Sequence, residues 1–233
     1  MKIPYRVGIL GAGLGSRLKS HAEAKPLAKL GESSLLELLL TRFQGAGAQE
    51  ILCALRHELI TPEIRRSLPK LAGVAYLFKD TESSLHTLAE LVRALDPSKG
   101  PVLFTMADTV MLPGDFERFL QFCAELGPSD CAVLLTSFVD DEKPLWAYVT
   151  PDGTVKGFGS EPAQLVTSGM YFLQPQAMEI ALELVDSGTH KMRNFLAKLA
   201  ERQMTIKSFV VSKTIDVDHP SDLEKAAAFL RGN

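Results

Sequence analysis

Alternation is what most restricts the folds open to this chain. Between residues 7 and 106, short apolar runs trade places with longer amphipathic stretches. The runs at 7–10, 50–55, 74–78 and 101–106 are brief and bounded by glycine, proline or polar residues, as buried strands are. Between them, Leu35, Leu36, Leu38, Leu39, Leu40 and Phe43 follow Ser33-Ser34 and stop at Gly45 and Gly47, which predicts a capped helix. A shorter helix is expected over 62–68, ended by Pro69. Another is expected over 83–95, with Leu85, Leu88, Leu91, Val92 and Leu95 on one face. Strands and helices that alternate in this way pair in parallel, with helices on both faces of the sheet.

Beyond residue 110 the pattern loosens. A helix is expected at 115–126 and a strand at 131–138. Segments 147–149 and 155–158 flank Pro151-Asp152-Gly153, a hairpin signal. An apolar strand at 165–173 precedes helices over 175–187 and 191–203, then a strand at 206–211. Pro220 opens a final helix over 221–230. No repeat, low-complexity tract or linker interrupts the 233 residues, so one domain with a substantial core is expected. A net charge of −3 offers no global reason to bind nucleic acid or an anionic membrane. Cys53, Cys123 and Cys131 lack CxxC spacing and read as buried cytosolic thiols. No apolar run approaches membrane-spanning length, and the start of the chain, with Lys2 and Arg6, is a poor signal peptide. The expected protein is soluble and cytoplasmic, with no nucleic-acid or membrane partner; a homo-oligomer stays open.

The first apolar run ends in Leu10-Gly11-Ala12-Gly13-Leu14-Gly15-Ser16-Arg17-Leu18, and Lys25-Pro26-Leu27 follows. Glycines let backbone N–H groups approach an anion and form a concavity around it. Arg17 and Lys25 beside that concavity point to a polyphosphate. A dinucleotide fingerprint would need glycine where Ser16 stands, and a continuing helix where Lys25-Pro26 stands. A Walker loop is excluded, since no Gly-Lys-[Ser/Thr] follows these glycines.

Phosphoryl and nucleotidyl transfer use a cation, commonly Mg²⁺ on one or two carboxylates. Asp108 follows the apolar strand ending at Met106, beyond the carboxyl end where ligands of open α/β sheets lie. On a strand, Asp216 and Asp218 would point to one side and could face the same ion. Asp222 reads as a favourable charge in the first turn of the last helix.

The loop from Leu10 to Leu27 resembles the signature of the nucleotidyltransferases that make nucleotide-activated sugars and alcohols, L-A-A-G-x-G-[ST]-R-[LM] followed by a lysine. Gly11 replaces the usual alanine. The short spacer before Lys25 is similar to that of inositol-phosphate and phosphocholine cytidylyltransferases and of molybdenum-cofactor nucleotidyltransferases. Ala107-Asp108-Thr109 resembles the family's Gly-Asp-[Asn/Thr/His], and Asp216-Val217-Asp218-His219-Pro220-Ser221-Asp222-Leu223 resembles its acidic closing stretch, with His219 for the usual Thr or Ser.

The resemblance implies a single-domain, GT-A-like, three-layer α/β/α fold with a mixed, mostly parallel sheet. Residues 1–110 would form its nucleotide-binding half and 111–233 its acceptor-binding, metal-completing half. It implies that Leu10, Gly11, Ala12, Gly13, Gly15, Ser16 and Arg17 bind the nucleotide, with Ser84 near base and ribose. Arg17 and Lys25 would be catalytic, and Asp108, Asp216 and Asp218 would hold Mg²⁺. Glu161, Ser168 and Gly169 are the implied acceptor contacts; Lys191, in the stretch His190-Lys191-Met192-Arg193 at an expected helix start, reads as a cation for an acceptor phosphate. Trp146 reads as structural or as a cleft wall. The expected reaction joins a nucleoside monophosphate from a nucleoside triphosphate, CTP in preference, to a phosphorylated sugar or alcohol and releases pyrophosphate. An NAD(P)-linked oxidoreductase and a non-catalytic nucleotide-binding regulator are the alternatives.

Overall fold

Val7 and Ile9 point to one side of the first strand and Leu10 to the other, and all three are buried. A strand covered on both faces belongs inside a layered sheet. The computed structural model describes residues 5–18, 22–140 and 143–232. Lys2 and the side chain of Ser16 lie outside the described residues.

The first part of the chain runs β1 (Arg6–Gly11), a small ribbon of β2 (Lys29–Leu30) and β3 (Ser33–Ser34), then α1 (Leu35–Gly45) and β4 (Ile51–Leu55). It continues through α2 (Pro62–Ser67), β5 (Val74–Phe78), α3 (Ser84–Leu95) and β6 (Val102–Met106). The second part runs β7 (Thr109–Val110), α4 (Pro113–Ala124), β8 (Cys131–Thr136), β9 (Trp146–Val149), β10 (Val155–Gly159) and β11 (Leu165–Leu173). It closes with α5 (Pro175–Asp186), α6 (Met192–Glu201), β12 (Ile206–Val211), β13 (Ile215–Asp216) and α7 (Pro220–Arg231).

β5, β4, β1 and β6 pair in parallel, as the early alternation predicts. β11 then enters antiparallel to β6 and also pairs with β8 and β9, so the sheet is mixed. β10 closes a hairpin on β9, and β12 adds parallel to β8. One apolar cluster holds Leu36, Leu40 and Phe43 of α1 with Phe116 and Phe119 of α4. The opposite cluster holds α3, α5 and α6 residues such as Leu88, Ala181 and Phe195. A third, smaller cluster joins Leu18, Ala28 and Leu35 to Val110, Ile215, Val217, Leu223 and Ala226. It docks α7 beside the glycine loop.

Local chemistry explains most boundaries. Ser34 caps α1 by accepting from the Glu37 amide at 3.1 Å, while Glu37 Oε2 accepts from the Ser34 amide at 2.6 Å. This reciprocal pair satisfies two donors that a helix start leaves unpaired. α4 starts two residues earlier than expected, because Pro113 fits a first helical turn. The strand expected at 131–138 stops at Thr136. The ribbons β2–β3 and β7–β13 have two residues per strand, too few to show any periodicity. The three cysteines are free and buried, and burial pushes the Cys131 thiol up to about 11, so none is primed as a nucleophile. Among the described residues no helix is long and apolar enough to cross a membrane.

Candidate active site

β1 delivers its glycine loop to the carboxyl ends of the parallel strands, where a cleft of about 670 Å³ opens. Leu10, Gly11, Gly13, Gly15, Arg17, Lys25 and Ser84 all line it. Ala12 is buried beneath the loop instead. Gly15 has φ +56°, and a Cβ there would lie 2.7 Å from Lys25 Cβ. Only glycine lets the loop fold down on the lysine. At Gly13 nothing stands within 4 Å of where a Cβ would be, so the backbone faces open cleft.

The opposite side of the cleft is acidic. Asp108 follows β6, and Asp216 lies on β13, which pairs with β7 in the register Asp216↔Thr109. The Val217 amide donates to the Asp108 carbonyl at 3.1 Å, so both aspartates are held on one short ribbon. Thr109 Oγ1 donates to Asp216 Oδ1 at 2.9 Å. Asp218 reaches the same cleft by another route than strand alternation, since β13 ends at Asp216. The chain turns there, with the Asp218 amide 3.1 Å from the Asp216 carbonyl. Asp222 Oδ2 accepts from the amides of Asp218 at 3.2 Å and His219 at 2.8 Å. Asp222 is thus a charge in the first turn of α7, as expected.

Lys25 lies between the acids and pairs with both Asp108 and Asp218. Burial works to lower its pKa, but the two carboxylates outweigh burial and hold the ammonium above the ordinary lysine value. Protein crowded around the Asp216 carboxylate, together with the Asp108 charge, raises its pKa above the ordinary aspartate value, although the residue keeps a solvent face where the cleft opens. Negative charge therefore exceeds what one lysine neutralises. Oxygen-only donors, excess negative charge and an ammonium standing between two of them fit a hard divalent cation such as Mg²⁺.

A neighbouring cleft of about 480 Å³ shares Arg17, Asp216 and Asp218 with the first. Gly169 and Lys191 line the larger cleft and Ser168 the smaller one. Ser168 is buried and bonded to Thr214 Oγ1 at 2.9 Å, which ties β11 to the segment entering β13. Gly169 has φ +66°, at the break in the β11–β8 register, and a Cβ there would overlap Thr109 Oγ1. Glu161 is not brought to either cleft; its carbonyl accepts from Tyr148 Oη at 3.2 Å. Trp146 is half-buried on β9 and lines neither cleft. Arg56 escaped the sequence reading. It donates to the carbonyls of Ala12 at 3.4 Å and Thr81 at 2.9 Å, bracing the glycine loop against the turn before α3. Its place one residue beyond β4, at the same carboxyl edge, was the available signal.

Comparisons with known proteins bear on the family and the fold. A MobA-like NTP transferase domain is matched over residues 7–202. The chain is 25% identical over 196 residues to a CMP-5'-(3-aminopropyl)phosphonate synthase of Streptomyces rubellomurinus, covering 74% of this chain and 28% of that protein. It is 22% identical over 211 residues to an Arabidopsis thaliana protein named as a probable mannose-1-phosphate guanylyltransferase 3, covering 85% of this chain and 62% of that protein. The chain thus spans less than two thirds of either relative. Among solved structures, the fold is shared with a protein described as a glucose-1-phosphate thymidylyltransferase of Bacillus anthracis, with TM-score 0.82, 15% identity and coverage of 98% of this chain and 96% of that one. It is shared also with the inositol-1-phosphate CTP transferase of T. maritima, with TM-score 0.76, 13% identity and coverage of 98% and 97%. The glycine loop and the acids that face it sit in this shared fold, and the domain match extends over most of the sequence: this chain belongs to the MobA-like NTP transferase family.

Proposed function

We propose that this chain is a nucleotidyltransferase that joins a nucleoside monophosphate to a phosphorylated sugar or alcohol, with release of pyrophosphate. The observation that carries this reading is Lys25, seated between Asp108 and Asp218 beside the glycine loop. The N–H groups of Gly11 to Gly15 and the Arg17 guanidinium bind the triphosphate, and Ser84 lies beside the base and ribose. Residues 1–110 hold the nucleotide and 111–233 the acceptor, with Gly169 and Lys191 on the acceptor side. Asp108 with Asp216 and Asp218 would hold Mg²⁺, which would supply positive charge to the transferring phosphates. An oxygen of the acceptor phosphate attacks the α-phosphorus in line, the bond to the β-phosphate oxygen breaks, and pyrophosphate leaves. That oxygen is already anionic at neutral pH, so the residues need supply no general base. Arg17 and Lys25 stabilise the charge that gathers on the leaving pyrophosphate.

CTP is the favoured donor. The short spacer before Lys25 and the cytidine named in the Streptomyces relative support it. Neither the domain match nor the relatives support the oxidoreductase alternative. The test is a pyrophosphate-release screen of the four nucleoside triphosphates against phosphorylated sugars, phosphorylated alcohols and phosphonates, with and without Mg²⁺. Release with CTP that needs both Mg²⁺ and an acceptor is expected. Release with no acceptor in a broad panel would sink the reading.

A further inference from the structure

One group of side chains at the mouth of the cleft is left unused by the transfer chemistry. Glu82 precedes the Ser83 cap of α3, His86 lies in that helix's first turn, and His190 lies in the turn leading into α6. Each offers one ligand atom, and these atoms all lie within 4.8 Å of one another. Among the described residues no other group of three or more histidine, cysteine or acidic side chains meets in this way. His190 Nδ1 is 3.2 Å from Glu82 Oε2. The two imidazole centroids are 5.0 Å apart. Ser83 Oγ is 2.9 Å from His86 Nδ1, the kind of outer contact that orients a metal-binding imidazole.

Two imidazoles and a carboxylate are a donor set for borderline transition ions such as Zn²⁺, Co²⁺ or Ni²⁺. They differ in kind from the oxygen-only acids at the floor of the cleft. We propose that Glu82, His86 and His190 form a transition-metal site, distinct from Asp108, Asp216 and Asp218. Its two sources of ligands lie on different walls. Ser83 and Ser84 line the cleft beside Glu82 and His86, and Lys191 lines it beside His190. A bound ion therefore clasps the turn before α3 to the turn before α6, across the cleft mouth. Glu82 and His190 are exposed, so an ion has direct access. Metal binding here does not depend on which nucleotide or acceptor the enzyme uses.

The experiment titrates the full chain with Co²⁺ at neutral pH and follows the visible absorption of the bound ion. One Co²⁺ per chain is expected, displaced by Zn²⁺ and not by excess Mg²⁺. Glu82 and His190 carry no core packing, so Glu82→Gln and His190→Ala should fold normally, as thermal melting will check, and bind about tenfold or more weakly. A double variant, Asp108→Asn with Asp216→Asn, should keep the cobalt spectrum. Zn²⁺ should also slow amide exchange over residues 187–191 in the wild type and not in His190→Ala. The site is disproved if wild-type protein shows no cobalt spectrum. It is equally disproved by a spectrum that survives His190→Ala, or by one that disappears in the aspartate double variant.

Discussion

Lys25 is where the charges of this cleft meet. Its ammonium pairs with Asp108 and Asp218, two of the acids proposed to hold a cation. In the proposed reaction the same charge faces the phosphates. Lys25→Ala should lower turnover about a hundredfold or more, the scale of losing one strong preorganised electrostatic contact. A steady-state pyrophosphate assay with the true acceptor measures this, and near-normal turnover would remove Lys25 from the chemistry. The lysine was legible from the sequence as a cation beside the glycine loop, and it lines the cleft there. Its pairing with Asp218 was not, because the two are 193 residues apart. The same holds for the hydrogen bond from the Thr109 hydroxyl to Asp216, two positions that stand 107 residues apart.

Secondary structure was readable in proportion to the length of each element and to how completely it was buried. β1, β4 and β6 are apolar along their length because helices cover both sides of the sheet. α3 shows its buried stripe plainly, with Leu85, Leu88, Leu91, Val92 and Leu95 all in the core. β7 and β13 are too short to show alternation, yet Asp216 lies on β13 while Asp108 directly precedes β7 and Asp218 follows β13. That is also why Asp216 and Asp218 were expected on one strand face and are found on a strand end and the turn after it. α7 shows how such a turn is held. Asp222 accepts two backbone amides and pairs with Lys225, 3.0 Å away. Burial tends to raise its pKa, but the His219 amide, Lys225 and the Asp218 amide together hold it below the usual aspartate value. Asp222→Ala should destabilise the protein by about 1 kcal/mol at neutral pH, as the loss of a helix cap does. A group with a depressed folded pKa contributes in full above its unfolded value and less as pH falls through its folded one. The gap between variant and wild type in chemical denaturation should therefore close as the pH is lowered through and below the aspartate range. A constant gap would assign Asp222 a packing role instead.

At the scale of the molecule, the third apolar cluster matters more than its size suggests. It binds Leu18, from the loop that carries Arg17, to Leu223 and Ala226 of α7. α7 is the last helix, and the segment that carries Asp218 runs directly into it. Leu223→Ala should cost about 2 kcal/mol in stability, the lower end for truncating a buried leucine. It should also raise the Mg²⁺ concentration needed for half-maximal turnover, because the anchor of the acidic segment is loosened. Lost stability with an unchanged Mg²⁺ dependence would show that α7 braces the fold without positioning the acids.

What the sequence determined by itself is local in origin. Periodicity and burial dictated a parallel α/β beginning, and glycine sterics with two nearby cations dictated a positively flanked concavity at the end of β1. Tertiary structure alone decided the rest. It set Lys25 between two acids, excluded Glu161 from the clefts, braced the loop with Arg56, and brought His190 to Glu82 and His86. The physical reason is the same throughout. Backbone conformation follows from neighbours along the chain, whereas the meeting of charges depends on how the crossovers and α7 fold remote segments onto one edge of the sheet.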